Sequence, residues 1–150
     1  MTTIALASDH AGYALKTQLA AELRAAGHDV RDIGPDNATA VDYPDYGIKL
    51  ATAVAAGEAA LGIAICGSGI GISIAANRNP AVRAALCTSG LMARLARLHN
   101  DANILALGSR IIGIDVARDC VAEFLNTDFA GGRHAGRVVK LGQPFKEPAE

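Results

Sequence analysis

Large aromatic side chains are scarce in this sequence, where Phe, Trp and Tyr make up only 4% of 150 residues. Because 51% of the residues are hydrophobic, the core must be built from Ala, Ile, Leu and Val instead of large rings. An excess of charge of one sign is lacking too, since the formal net charge is -1. A nearly neutral chain supplies no general field that would hold a nucleic-acid backbone or an anionic membrane surface. We therefore expect no nucleic-acid or membrane partner, and any anion site must be local.

Long hydrophobic runs and closely spaced cysteines are also missing. Uninterrupted apolar runs such as 63–66 are far shorter than the roughly 20 residues of a membrane helix. The start of the chain lacks the basic stretch and the long apolar segment of a secretory signal, so we expect a cytoplasmic protein. Cys66, Cys87 and Cys120 do not have the C-x-x-C spacing usual for structural zinc sites, and we interpret them as reduced thiols.

Short apolar runs of strand length alternate along the chain with longer segments of helical period. This alternation is typical of a parallel sheet covered by helices, and most of the runs lack polar alternation, as buried parallel strands do. We therefore predict one α/β domain over 1–150, with a doubly wound five-stranded parallel sheet and helices on both faces. The segment 141–150 is expected to be a flexible tail. The predicted strands are Ile4 to Ala7, Asp29 to Ile33, Leu61 to Cys66, Arg83 to Cys87 and Ile104 to Leu107.

Four stretches between or after the predicted strands repeat apolar residues at helical spacing. The first two end at Gly27 and Gly57, and glycine offers the left-handed conformation that commonly ends a helix. From Thr127 onwards the periodicity is weak, so the structure of that segment is left open. The stripes are Leu15, Leu19 and Leu23; Tyr46, Leu50 and Val54; Leu91, Leu95 and Leu98; and Ala117, Val121, Phe124 and Leu125.

The glycine-rich loop after the third predicted strand is the strongest candidate for a ligand site, because doubly wound sheets bind ligands beyond the carboxyl ends of their strands. Gly67, Gly69 and Gly71 allow several backbone N–H groups to converge on an oxyanion, and a helix beginning near Ile70 would add its positive dipole end. A tight turn that only needs small residues explains the glycines equally well. The loop reads G-x-G-x-G and contains no G-K-[ST], so neither a dinucleotide site nor a nucleotide P-loop is expected.

Cys66 ends the third predicted strand, where amide donors at a helix N-terminus favour a thiolate that could act as a base. A buried, inert thiol is the alternative, and it is how we interpret Cys87 and Cys120. Asp9 and His10 follow the first strand and are expected at the same sheet edge, where they suit acid–base work on a hydroxylated ligand. An N-cap aspartate beside a surface histidine is the simpler explanation of this pair.

Basic residues near the end of the chain could hold a phosphate. Arg133 and Arg137 lie one helical turn apart if this segment is helical, and a planar guanidinium group suits a phosphoryl group. Most short basic runs are only solvated, which is the alternative here. His99 and Asn100 end a predicted helix, where the helix dipole favours an imidazolium and an amide can cap. On position alone, these last two residues say little about function.

Several motifs together resemble the type B ribose-5-phosphate isomerases, which belong to a wider ribose/galactose isomerase family. The likeness runs in order from about Ile4 to Lys140. The wider family also includes enzymes for four-carbon sugar phosphates, allose 6-phosphate and galactose 6-phosphate. The motifs are S-D-H-A-G at Ser8 to Gly12, D-Y-P at Asp42 to Pro44, I-C-G-S-G-I-G-I-S-I-A-A-N-R at Ile65 to Arg78, R-L-H-N-D-A-N at Arg97 to Asn103, L-G-S-R at Leu107 to Arg110 and G-G-R-H-x-x-R at Gly131 to Arg137.

The resemblance implies a Rossmann-like sheet and a homodimer, often paired into a tetramer, whose active site takes residues from both protomers. It implies interconversion of D-ribose 5-phosphate and D-ribulose 5-phosphate through an enediolate, with no metal and no cofactor. Cys66 matches the general base, Ser68 its supporting hydroxyl residue and His99 the ring-opening residue. The other matches are Asp9 at the sugar oxygens, the backbone amides of Gly67, Gly69 and Gly71 for the enediolate, His10, Arg110, Arg133 and Arg137 for the phosphate, and Tyr43 and Asn100 lining the site.

Other functions stay open or are excluded at this point. An isomerase of erythrose 4-phosphate, allose 6-phosphate or galactose 6-phosphate, or a relative that binds sugar phosphates without catalysis, would carry much the same motifs. A five-stranded response receiver needs clustered acids after the first strand, an aspartate after the third and a lysine after the fifth. This chain has Asp9 alone, Cys66 and Arg110 at those places, so we reject the receiver.

Overall fold

The computed structural model describes residues 2–147 and confirms the predicted α/β class, with five parallel strands and helices on both faces of the sheet. Each predicted strand agrees with an observed one to within one residue at either end. The strands are β1 Thr3–Ser8, β2 Asp29–Gly34, β3 Leu61–Cys66, β4 Ala84–Leu86 and β5 Ile104–Gly108. The helices are α1 Tyr13–Ala25, α2 Tyr43–Ala55, α3 Ile70–Ala76, α4 Gly90–Asn100, α5 Ile114–Leu125 and α6 Arg133–Leu141.

The order of the strands in the sheet is β2, β1, β3, β5, β4, and every neighbouring pair is parallel. From β1 the chain moves to β2 on one side and then returns to β3 on the other side, so the direction of strand addition reverses between β1 and β3. Doubly wound sheets bind ligands in the crevice at such a reversal, outside the carboxyl ends of the strands. Ser8 at the end of β1 pairs with Ile65, next to the last residue of β3, so the two strands end at nearly the same level.

Alternate residues of the strands face two separate hydrophobic cores. In β1, Ile4 and Leu6 belong to one core, while Ala5 and Ala7 belong to the other, as the two-residue period of a strand requires. Helices α1, α4 and α5 cover the first core, and α2 and α3 cover the second. The central strands β1, β3 and β5 are therefore buried on both faces, which explains why they appear in the sequence as plain apolar runs, whereas the edge strand β2 keeps exposed charged residues.

Helix α4 packs differently from the leucine stripe seen in the sequence. Leu91 and Leu95 are 55% and 37% exposed, whereas Ala93 and Ala96 are buried. The buried alanines belong to the core that α4 shares with α5, and small side chains allow two packed helices to approach closely. The leucine stripe therefore does not mark the core-facing side of α4, and Leu91 and Leu95 form part of the protein surface.

Part of the segment after Thr127, whose structure the sequence left open, forms helix α6. It places Arg133 and Arg137 one turn apart, and none of its nine residues is buried. Residues 142–147 follow outside the helix and are exposed. The flexibility expected of 141–150 stays a prediction, and 148–150 lie outside the described residues. No helix within 2–147 is long and apolar enough to cross a membrane.

Candidate active site

Asp9 and Cys66 lie at the same edge of the sheet, as predicted from their positions after β1 and at the end of β3. The backbone N–H of Asp9 donates to the carbonyl of Ile65 at 3.2 Å, which joins the two strand ends directly. Both residues are buried, with 6% and 4% of their surface exposed. The carboxylate of Asp9 accepts the N–H of Gly12 through Oδ1 at 3.0 Å, so the turn before α1 fixes this side chain.

The glycine loop turns sharply around the sulfur of Cys66. The N–H of Gly69 donates to Cys66 Sγ at 3.1 Å, and α3 begins one residue later, at Ile70. Gly69 has φ +77°, and a Cβ at this position would lie 2.5 Å from the Leu86 side chain, so only glycine fits. Ser68 Oγ accepts the N–H of Ile70 at 3.2 Å. The loop therefore directs a backbone donor at the thiol, as an anion-binding turn would.

Arg110 and Tyr43 cover the two ends of the same loop. The N–H of Arg110 donates to the Gly67 carbonyl at 2.9 Å, and a Cβ on Gly67 would lie 3.4 Å from Arg110 Nη1, so the guanidinium group lies over this glycine. A Cβ on Gly71 would lie 2.6 Å from the ring of Tyr43, the first residue of α2. A cation and an aromatic hydroxyl thus border the backbone donors.

His10 is held at the same edge by the loop before α2. Its Nδ1 lies 3.2 Å from both the amide nitrogen and the carbonyl oxygen of Val41, so the ring is anchored in either tautomer. The side chain is exposed to solvent, as a residue that contacts a ligand from outside the sheet would be. We use the name cysteine half-site for the residues at this edge: Asp9, His10, Tyr43, Cys66, Gly67, Ser68, Gly69, Gly71 and Arg110.

His99 and Asn100 are placed elsewhere, because α4 runs back along the sheet and ends before β5 begins. The carbonyl of Asn103, next to that start, accepts the N–H of Gly62 near the start of β3 at 2.8 Å. This end of α4 therefore lies at the amino edge of the sheet. The strands β3 and β5 have six and five residues, which at about 3.3 Å per residue puts roughly 17–20 Å between the two edges. Within one chain, His99 and Cys66 do not meet.

Helix α6 brings the basic residues of the tail to this second edge. The ring of His134 stacks on the ring of His99, with centroids 4.5 Å apart and 17° between the planes. Partial loss of solvent around its half-buried ring lowers the pKa of His134, and repulsion from the neighbouring His99, Arg133 and Arg137 lowers it further. We use the name histidine half-site for His99, Asn100, Arg133, His134 and Arg137.

The other two cysteines behave as the sequence suggested. Burial raises the pKa of Cys87 to about 12, with a smaller contribution from the neighbouring Cys120. Burial likewise raises the pKa of Cys120 to about 11, helped by the charge of Asp119. Both thiols stay protonated at neutral pH and belong to the core beneath α4 and α5. Within 2–147, no three His, Cys, Asp or Glu side chains are grouped so that they could hold a metal ion.

Two residues near the half-sites were not singled out from the sequence. His134 was grouped with the basic residues of the tail, but its contact with His99 is tertiary and has no local signal. Lys16 is fully buried, and its Nζ donates to Asp32 Oδ1 at 2.5 Å and to the Pro35 carbonyl at 2.8 Å. The sequence did indicate the burial of Lys16, because positions 16, 19, 20 and 23 have the spacing of a buried helix face.

Comparison with known proteins decides the family. The sequence model of the ribose/galactose isomerases matches residues 4–141. The chain belongs to this family. Ribose-5-phosphate isomerase B of Escherichia coli strain K12 is 45% identical to it over 141 residues, which cover 94% of this chain and 95% of that protein.

Solved structures of ribose/galactose isomerases agree with the fold as well. Clostridium thermocellum ribose-5-phosphate isomerase B is 54% identical, with a TM-score of 0.92 over 93% of this chain and 95% of that one. The ribose 5-phosphate isomerase of Thermotoga maritima is 48% identical, with a TM-score of 0.92 over 94% and 97% of the two chains. The resemblance to the type B enzymes is confirmed, and the protein is an isomerase.

Proposed function

We propose that this isomerase interconverts D-ribose 5-phosphate and D-ribulose 5-phosphate in the cytoplasm. The names of its relatives support that substrate at 45% and 54% identity. The observation that carries the proposal is the surroundings of Cys66, whose sulfur lies at the carboxyl edge near Asp9 and receives the N–H of Gly69. A proton-transfer group held against fixed backbone donors is what an aldose–ketose isomerisation requires.

In the proposed reaction, the Cys66 thiolate removes the proton from C2 of the open-chain aldose. The electron pair of the broken C–H bond forms the C1–C2 double bond of an enediolate, and the negative charge on O1 is stabilised by backbone N–H groups of 67–71. Cys66 then returns the proton to C1, while the proton on O2 moves to O1 and leaves the ketone at C2. Ser68 supports the loop through the bond of its hydroxyl to Ile70. Atoms and charge balance without a metal or a cofactor.

Ring opening and substrate holding are assigned to the remaining residues. Opening the furanose requires a base for the proton on O1 and an acid for the ring oxygen, and we assign this exchange to His99 with Asp9 assisting at the sugar oxygens. The phosphate is assigned to side chains that offer charged donors from both half-sites. These phosphate ligands are His10, Arg110, Arg133 and Arg137, while Tyr43 and Asn100 line the sugar.

The distance between the half-sites implies how the active site is assembled. Since a single chain keeps His99 and Cys66 at opposite edges of the sheet, we infer that two chains pack so that the histidine half-site of one completes the cysteine half-site of the other. Exposed apolar side chains on α3 and α4, including Ile70 at 53% and Leu91 at 55%, support an interface that involves these two helices. A homodimer meets the requirement, and a tetramer of two such dimers meets it equally.

A substrate panel tests the proposed activity. Purified protein is assayed for ketose formation from erythrose 4-phosphate, ribose 5-phosphate, allose 6-phosphate and galactose 6-phosphate. We expect the highest kcat/KM with ribose 5-phosphate, because one carbon more or less shifts the phosphate relative to the base, and a misplacement of about 1 Å can cost about 10²-fold. A higher kcat/KM for a four- or six-carbon sugar phosphate would change the assigned substrate but leave the proposed isomerisation chemistry unchanged. Binding without turnover of any of the four would make the protein a non-catalytic relative.

A further inference from the structure

Helix α6 carries functional side chains without the packing that usually fixes a helix. It supplies Arg133, His134 and Arg137 to the histidine half-site, yet none of its residues is buried. A helix in a protein gains most of its stability from packing an apolar face, and α6 has no such face in the core. Contacts at its two ends therefore matter: Gly142, just after the helix, lies close to the Pro80 carbonyl, and the segment before the helix is bonded to α4 beside His99.

Those contacts lead to the last turns of α4. The connection between α5 and α6 is bound at two points, because Arg97 Nε donates to the Thr127 carbonyl at 3.2 Å and the N–H of Ala130 donates to the Leu98 carbonyl at 3.1 Å. Arg97 and Leu98 directly precede His99 in α4. The segment that enters α6 is thus attached to the helical turn that presents the histidine.

A second arginine completes this arrangement around Asp101, the residue that ends α4. Asp101 has φ 45° and is the only non-glycine residue within 2–147 with positive φ. Its carboxylate accepts from Arg97 Nη1 at 3.0 Å and from Arg83 Nη2 at 3.3 Å, and its carbonyl accepts from Arg83 Nε at 2.8 Å. Aspartate tolerates the left-handed conformation better than most residues, and here its charge is held by two guanidinium groups.

We propose that Arg97 is a positioning residue of the histidine half-site, with Asp101 as its anchor. Its guanidinium group spans three acceptors on two separate segments, namely Asp101 Oδ1, the Ala102 carbonyl and the Thr127 carbonyl. Only 13% of the side chain is exposed, so solvent screens these bonds weakly. A lysine ammonium cannot reproduce this planar fork. Arg97 thereby keeps the ring of His99 against the ring of His134 and fixes the positions of Arg133 and Arg137 on α6. The consequence for catalysis rests on the proposed function.

The first test is independent of activity. Proton NMR of the imidazole signals, assigned through single histidine variants, reports the stacking of His99 on His134 through their mutual ring-current shifts. We expect Arg97→Leu and Arg97→Lys to lose these shifts. Arg94→Leu should keep them, because Arg94 lies one turn earlier on α4, is 48% exposed and has only a 3.6 Å pair with Glu123. Arg94→Leu removes the same type of side chain from the same helix, so it is the matched control variant.

The second test separates the two half-sites kinetically. Ribulose 5-phosphate is open-chain, so exchange of its C1 hydrogen with solvent deuterium requires the enediolate step and no ring opening. We expect Arg97→Leu to lower kcat for ribose 5-phosphate conversion by about tenfold or more and to raise KM, because the ring-opening residue and the arginines are displaced. The saturating exchange rate with ribulose 5-phosphate should stay within about twofold of wild type, because the cysteine half-site is intact.

Asp101→Gly keeps the proposal testable if Arg97→Leu fails to fold. Glycine adopts the positive φ without strain, so a purely conformational role for Asp101 predicts normal turnover and normal histidine signals. Our proposal predicts the opposite, since the anchor of Arg97 is removed. The proposal is overturned if folded Arg97→Leu or Asp101→Gly keeps both the stacking shifts and the wild-type kcat/KM. If wild-type protein does not convert ribose 5-phosphate, the proposed function fails, and the NMR comparison alone decides the role of Arg97.

Discussion

At the scale of single residues, the surroundings of each cysteine decide its chemistry. Cys66 lies at a strand end in one core, with a backbone N–H directed at its sulfur, whereas Cys87 and Cys120 lie in the other core, where burial keeps their thiols protonated. The glycine-rich loop after Cys66 was visible in the sequence and separated this residue from Cys87, which also ends a predicted strand. The directed donor was not visible, because it depends on the left-handed turn at Gly69.

Replacing the proposed base should remove catalysis without removing the fold. We expect Cys66→Ala to lower kcat by about 10² or more, the usual contribution of a general base, and to leave KM nearly unchanged. Alanine fits this buried position without adding volume, so far-UV circular dichroism and the melting temperature should stay close to wild type. Steady-state assay with ribose 5-phosphate measures the effect. Near-normal kcat in the folded variant would remove Cys66 from the mechanism.

The raised pKa values of the core thiols predict which cysteines an alkylating reagent will modify. A thiol reacts as the thiolate, so at about pH 8 a group whose pKa lies well above the solution pH stays protonated and inert. We expect iodoacetamide to modify Cys66 in the folded protein and to spare Cys87 and Cys120, with ribose 5-phosphate slowing the reaction. Peptide mass spectrometry locates the label. Modification of either core thiol at the rate of Cys66 would contradict this assignment.

At the scale of elements, the sequence predicted what depends on burial and missed what depends on packing partners. The central strands β1, β3 and β5 were predicted to within one residue because both of their faces are buried. The leucine stripe did not reveal the buried face of α4, because close packing favours Ala93 and Ala96 in the core over the leucines. Helix α6 was not predicted, since a helix without a buried face has no apolar stripe to reveal it in the sequence.

Lys16 shows how an element near the site is held by a buried charge. Its bonds to Asp32 and to the Pro35 carbonyl fasten the loop that leads to α2, and that loop anchors His10 through Val41. We expect Lys16→Met to lower the free energy of unfolding by about 2 kcal/mol, because the substitution leaves the buried Pro35 carbonyl without its donor and breaks the partly buried pair with Asp32. Urea denaturation measures the change.

The matched control for this prediction is a lysine on the protein surface. Lys49 lies over the ring of Tyr46 on α2 at 4.7 Å, and Lys49→Met should change the free energy of unfolding by no more than about 0.5 kcal/mol. Equal effects of the two substitutions would show that the bonds of Lys16 to Asp32 and to the Pro35 carbonyl add nothing to stability.

At the scale of the whole molecule, the proposed catalytic residues divide between the two edges of one sheet. The sequence could assign residues to strand ends and helix ends, but the separation of roughly 17–20 Å follows from strand length and from the direction of α4. The motif resemblance implied a site shared between protomers, and the geometry of one chain supports that proposal. The central claim is therefore that catalysis requires Cys66 of one protomer and His99 of its partner.

Mixing two inactive variants tests this claim most directly. Cys66→Ala and His99→Ala proteins are combined under conditions where subunit exchange is verified by mass spectrometry, and turnover of ribose 5-phosphate is measured. With random exchange, half of the dimers are hybrids and one of the two sites in each hybrid has both groups, so we expect about one quarter of wild-type activity. Activity that stays at the level of the separate variants despite verified exchange would put both residues in the site of one chain and contradict the account.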